Sequence, residues 1–204
     1  LLISALLDLL RLVTPSPDGT APALPRRLVV EAWRSPYFDW SHALRDEMGI
    51  PLAVEPGDAD LLDDCARQGL VIAGWEQWRE ALQRLAQERQ VSDHEQDERC
   101  SLNIEPAQAR LLWQKFEAFV RRLTPPAQAS YADYVSWLQT LIGYDPIEEQ
   151  EGDPGKDSSL NIMGCIRREP ASAPEDLQAL AELADILNSL VWAEDLQGPV
   201  SLPF

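Results

Sequence analysis

Lysine is nearly missing from this chain. Lys115 and Lys156 are the only two among 204 residues, and histidine is as scarce, at His42 and His94. Bases total 17 against 34 acids, for a net charge of −17. Chains that bind nucleic acid by themselves usually present a basic face. Whole-domain attraction to phosphate is therefore not expected here, and any basic contact must be local. Long uncharged apolar runs are also absent, which excludes a transmembrane helix and gives no reason to place a membrane among the partners. The opening LLISALLDLLRLV carries Asp8 and Arg11 and has neither the basic start nor the small-residue cleavage site of a signal peptide. It reads as an amphipathic helix. Three cysteines, Cys65, Cys100 and Cys165, are far apart and odd in number. That argues against a disulfide framework and fits a reducing, cytoplasmic setting.

Catalytic signatures are missing as well. The sequence contains no GxxxxGK[ST] loop, no GxGxxG and no GxSxG, so it offers no phosphate cradle and no nucleophile elbow. The nearest approach, DPGKDSS with Gly155, Lys156 and Ser158, lacks the first glycine and a flanking strand. His94 stands between Asp93 and Glu95 near Cys100, but without CxxC or HxxxH spacing, and a solvated loop is the simpler reading. Neither lysine follows a pair of acids in a strand, as a metal-dependent nuclease would require. Acid pairs such as Asp63 and Asp64, or Glu148 and Glu149, read as solvated faces in so acidic a chain. No catalytic, metal-binding or cofactor-binding residue is assigned.

What is present is helical. Hydrophobic residues make up 45% of the chain, and a domain of this size buries about 70% of its unfolded surface. The expected fold class is all-α, one irregular helical domain over 1–204 with long polar loops. Residues 1–13 form a first helix, and a proline-rich connector runs to Pro25, which suits a first helical position. Leu28, Val29, Ala32 and Trp33 make a stripe that ends at Ser35, because the residue before Pro36 leaves the α region. In WRSPYFDW the aromatics Tyr37, Phe38 and Trp40 then read as a buried corner rather than a ligand platform. A short helix is expected over 40–47, and another that Asp58 caps and Gly69 ends. Trp75, Trp78, Leu82 and Leu85 share one helical face, as do Leu112, Phe116, Phe119 and Leu123 over 105–123. Ser130 caps a helix stopped by Gly143. Residues 144–172 are polar and acid-rich, expected to be a flexible loop, with LNIMGCI as a possible short strand. Ser172 and Glu175 form a capping box for a last helix with Leu177, Leu180, Ala184, Leu187 and Val191 on one stripe. The arginine pairs Arg26–Arg27, Arg121–Arg122 and Arg167–Arg168 are the only local concentrations of base. The first two are the candidates for contacting DNA phosphate, although Arg121 and Arg122 also suit a helix C-terminus.

Two stretches go beyond generic helix. LPRRLVVEAWRSPYFDW resembles the segment of superfamily 1 helicase-like proteins in which a helix runs into an RSPYF turn. CARQGLVIAGWEQWREAL, about 30 residues on, resembles the continuation, carried here by Gly69, Ile72, Gly74, Trp78 and Leu82. Together they resemble the helical 2B-type insertion of AddB/RexB-like subunits of ATP-dependent helicase–nucleases. The match covers roughly the first 90 residues. It implies an accessory domain, not itself an enzyme and without cofactor, in a parent chain with helicase-like and PD-(D/E)XK nuclease domains. The implied partners are those domains, a motor subunit and DNA, in end processing, recombination and DNA repair. The family's Walker loop and nuclease carboxylates map to no residue here, and its four-cysteine cluster is not matched. The start without Met and the end on GPVSLPF fit a piece of a longer chain. A different reading of the same residues is a free-standing helical adaptor that grips a protein partner through an aromatic groove, and a small enzyme is a third.

Overall fold

The computed structural model describes residues 1–13, 22–87, 104–126, 129–143, 165–166 and 174–197. They hold α1 (Leu2–Arg11), α2 (Arg26–Arg34), α3 (Trp40–Ala43), α4 (Asp58–Gln68), α5 (Trp75–Gln87), α6 (Pro106–Leu123), α7 (Tyr131–Ile142) and α8 (Pro174–Gln197). No strand occurs among the described residues; two isolated antiparallel bridges join Phe38 to Ile166 and Arg45 to Pro51. The fold is all-α. Helix α5 packs on α6 and α4, α2 packs on α1 and α4, and α8 packs on α7 and α1.

Helix α6 forms because its apolar residues recur at helical spacing and Glu105 with Gln108 closes a capping box at its start. Its buried stripe is Leu112, Phe116, Phe119 and Leu123. Phe116 packs against Trp78 with ring centroids 4.9 Å apart and stacks on Trp75 at 5.9 Å. Phe119 meets Trp40 at 4.9 Å and Trp33 at 5.7 Å, both edge to face, the arrangement that the ring quadrupoles favour.

Of the WRSPYFDW corner, Trp33, Phe38 and Trp40 are buried, whereas Tyr37 is half-buried and Pro36 exposed. Ser35 ends α2 in an extended conformation, as the following proline requires. Asp39 caps α3 by accepting from the Ser41 N–H at 2.9 Å. Trp40 Nε1 then donates to the Ala32 carbonyl at 3.0 Å, which satisfies an orphan acceptor in the last turn of α2. Phe38 is 2% exposed and packs against Trp40.

Three details depart from expectation, at Pro25, at the end of α3 and at Asp58. Helix α2 starts at Arg26, with Pro25 as its N-cap. Helix α3 stops at Ala43 rather than near residue 47. The Asp46 carboxylate accepts from the N–H groups of Met48 and Ile50, and this local turn competes with further helix. Asp58 is the first residue of α4, not its cap. Its carboxylate accepts from the Glu55 N–H at 2.7 Å and from Lys115 Nζ at 2.6 Å. Gly69 ends α4 with ordinary helical φ, and Leu70 takes the left-handed conformation. The glycine is needed for another reason: a Cβ there would lie 2.4 Å from Ala81 Cβ on α5.

Ser130 and Asp133 cap α7 reciprocally, and Gly143 closes it at φ +70°. Ser172 lies outside the described residues, as does most of 144–172. Within that span Cys165 is fully buried. Its N–H donates to the Leu141 carbonyl at 2.8 Å, and its own carbonyl accepts from Asp39 N–H.

Two stability predictions follow from this packing. Replacing Phe38 by Ala should cost about 3–5 kcal/mol in a denaturant melt, from lost transfer free energy and the cavity left behind; an unchanged midpoint would return the corner to the surface. Trp78 Nε1 donates to the buried Leu24 carbonyl at 3.0 Å, whereas Trp33 Nε1 is buried with no acceptor among the described residues. Trp78→Phe should therefore cost about 1–3 kcal/mol more than Trp33→Phe, because only the first orphans a buried carbonyl. Equal losses in parallel urea melts would contradict that assignment.

Candidate functional site

Four arginines line a cleft where α2 faces α4. On α2 the positions 26, 27, 30, 31 and 34 fall on one side of the helix, and on α4 so do 60, 63, 64 and 67. The turn after α4 crosses the start of α2, where Arg26 N–H donates to the Ile72 carbonyl at 2.9 Å. The cleft holds about 480 Å³ and is lined by Arg26, Arg27, Arg34 and Arg67, by Glu31 and Asp63, and by Val30, Val71 and Ile72. Val30 and Val71 are buried, whereas Ile72 is 77% exposed.

Asp63 organises these guanidiniums. Its side chain is only 8% exposed, and it pairs with Arg67 Nη2 at 2.8 Å, Arg26 Nε at 3.1 Å and Arg34 Nη2 at 3.7 Å. Arg34 also forks onto Asp60, and Arg27 pairs with Glu31. Burial alone would raise the Asp63 pKa, but hydrogen bonds and charge from Arg67 and Arg26 outweigh it and hold the carboxyl below its usual range. Each of the four guanidiniums is thus engaged by at least one carboxylate, and Arg34 by both Asp60 and Asp63. Exposure rises outward, from 34% at the Arg26 side chain to 64% at Arg67 and 85% at Arg27.

Of the sequence candidates, Arg26 and Arg27 lie in this cleft, and Arg121 and Arg122 do not line it. Arg121 donates to the Arg45 carbonyl at 2.8 Å, and Arg122 to the Thr140 carbonyl at 2.6 Å. Burial lowers the Arg122 pKa, and that guanidinium ties α6 to α7. Arg34 and Arg67 were not singled out by sequence, being solitary arginines in different helices. The signal that could have found them is helical phase: Arg26 and Arg34 are eight apart, and Arg67 follows Asp63 by four. The reading of Asp63 as a solvated acid is corrected by its burial.

The remaining chemistry-bearing residues are spent elsewhere. Burial raises the Cys65 thiol to about 11 and the Cys165 thiol to about 12, so neither is a thiolate at neutral pH. His42 is exposed on α3, and His94 and Cys100 lie outside the described residues. Among the described residues no three His, Cys, Asp or Glu side chains gather as metal ligands, and no helix is long and apolar enough to cross a membrane. No family model, curated protein or solved structure matches the chain.

Asp63 gives a pH prediction. Its folded pKa lies below the unfolded value of about 4, so its contribution is full above that value and is lost as pH falls through the folded pKa. Asp63→Asn should be destabilised at neutral pH, and its deficit should shrink below pH of about 4. Chemical denaturation across a pH series checks this, and a constant deficit would refute the arginine-clamped carboxylate.

Proposed function

We propose that this chain is a non-catalytic helical accessory domain, of the 2B type, within an AddB/RexB-like subunit of an ATP-dependent helicase–nuclease acting in DNA end processing and recombinational repair. The observation that supports it most is where the residues carrying the resemblance sit. Trp33, Phe38, Trp40, Trp78 and Leu82 are all buried. Gly69 permits the close approach of α4 and α5, and Gly74 adopts φ +89°. These are scaffold roles, as an accessory domain would have, rather than reactive ones. Pro36, Tyr37 and Ile72 are the exceptions; Ile72 stands at the edge of the arginine cleft. Burial takes Phe38 and Trp40 away from the aromatic groove that the adaptor reading needs; half-buried Tyr37 lines a surface cleft with Leu9, Leu28 and Pro36.

In this role the chain's partners are the motor and nuclease domains of the parent chain, a motor subunit and DNA, in the cytoplasm. Two measurements test it. The coding sequence around this segment should carry a phosphate loop on one side and nuclease carboxylates with a lysine on the other; their absence would end the proposal. The purified chain should neither hydrolyse ATP nor cut DNA. Metal-dependent nicking abolished by one substitution within the chain would overturn the non-catalytic role.

A further inference from the structure

We propose that the outer face of α8 docks an amphipathic α-helix of a partner protein, its apolar stripe seated on Leu183, Ile186 and Leu190 and its lysines or arginines facing Glu182. The inference does not rest on the accessory-domain reading and concerns a surface which that reading leaves unused. Helix α8 has two apolar sides. One is spent within the domain: Leu180 and Ala184 are buried, and Asn188 meets Gln139 of α7 at 3.5 Å. The other is open. Ile186 is 59% exposed and Leu190 44%, while Ala179 and Leu183 are half-buried. A helix that is apolar on every side is normally enclosed by other structure. Yet beyond Ala184 no side chain of α8 is buried among the described residues.

Spacing and charge narrow the occupant. Ala179, Leu183, Ile186 and Leu190 follow one another at intervals of four, three and four, the a/d repeat through which one helix receives the knobs of another. A partner strand, with its period of two, would not match it. Glu175 and Glu182, seven apart, run along the open edge of the stripe, and both are exposed. That flanking row is where charge selects the partner of a helix pair. Over 174–197 the helix carries six acids and no Lys, Arg or His. Its last turn holds Glu194 and Asp195 without a base, at the end of the dipole where cations are favoured. A partner's cations would supply what this helix lacks. A second copy is the poorer occupant. It brings another net charge of −17 and the same acidic edge, and like charges set against each other oppose association.

The test is fluorescence anisotropy of the 204-residue chain with labelled synthetic peptides of about three heptads. The first peptide has leucine at a and d and lysine at e and g. The second has the same composition in an order without the repeat. The third has glutamate in place of lysine. The first should bind at least about tenfold more tightly than the second, and the third should not bind. Ile186→Ser with Leu190→Ser should weaken the first peptide by about tenfold or more, as loss of central apolar contacts does. Glu182→Lys should weaken the first peptide and admit the third. Trp192→Ser should change neither: Trp192 is 74% exposed, but two positions from Leu190 it stands on the opposite side of the helix. All four side chains are exposed, so the variants keep the fold, which circular dichroism melts verify. Hydroxyl-radical labelling should modify Ile186 and Leu190 in the chain alone and spare them once the first peptide is bound. Equal binding of the reordered peptide would reduce the effect to bulk charge and overturn the proposal. So would insensitivity to both face variants, or an Ile186 and Leu190 already protected in the free chain by a second copy or another segment. These outcomes are independent of the flanking coding sequence, so the docking face and the accessory-domain reading can fail separately.

Discussion

The contact on which this fold depends is the insertion of two phenylalanines of α6 between the other aromatic elements. Phe116 takes Trp75 and Trp78 from α5, and Phe119 takes Trp33 and Trp40 from the corner after α2. Three positions apart on one helix, the two rings face nearly the same way. They therefore join segments that are otherwise distant in sequence. Helices this short have little stability in isolation and form because an apolar face finds a partner. Here that partner is common to most of the domain. Removing either ring would open a cavity between two elements, with little local structure able to collapse into it.

Around that centre, charge does the registering. Lys115 sits on the same helix as the two phenylalanines, is 5% exposed, and reaches Asp58 at the start of α4. Buried pairs of this kind gain little net stability but punish misalignment heavily, since a displaced partner leaves an unpaired charge out of water. Asp63 sets α2 against α4 in the same manner through Arg26 and Arg34. Ion pairs thus fix where α4 lies, Lys115 with Asp58 against α6 and those of Arg26 and Arg34 against α2. The aromatic contacts supply the attraction, and the carboxylates of α4 select the register.

Much of the fold was legible because it is governed by local periodicity. The stripes of α5 and α6, the Ser130 cap and the Gly143 stop each follow from residues within a turn or two of one another. The misreadings share a physical cause: they depend on partners far away in sequence. Pro25 looks like a first helical residue, but it caps α2 from outside, where the Arg26 N–H donates to the distant Ile72 carbonyl. Asp58 looks like a cap, yet it serves a lysine 57 positions on. Asp63 reads as one more solvated acid until arginines from α2 are folded over it. The cleft was half legible for the same reason. Arg26 and Arg27 stand out as a pair, while Arg34 and Arg67 are ordinary until two helices bring them together.

The same contrast explains how a strongly acidic chain can hold a basic recess. Composition reports the average field, which decides long-range attraction and falls off within about 10 Å at ordinary ionic strength. A cleft whose guanidiniums stand on one shared carboxylate acts over shorter distances than that. Asp63 cancels one charge but holds several donors in position, so the acid that weakens the net field also organises the local one. An arginine-rich surface without such an anchor would attract phosphate from further away and hold it with less definition. In a domain of net charge −17, the guanidiniums of α2 and α4 are therefore ordered by their own carboxylates rather than by an excess of positive charge.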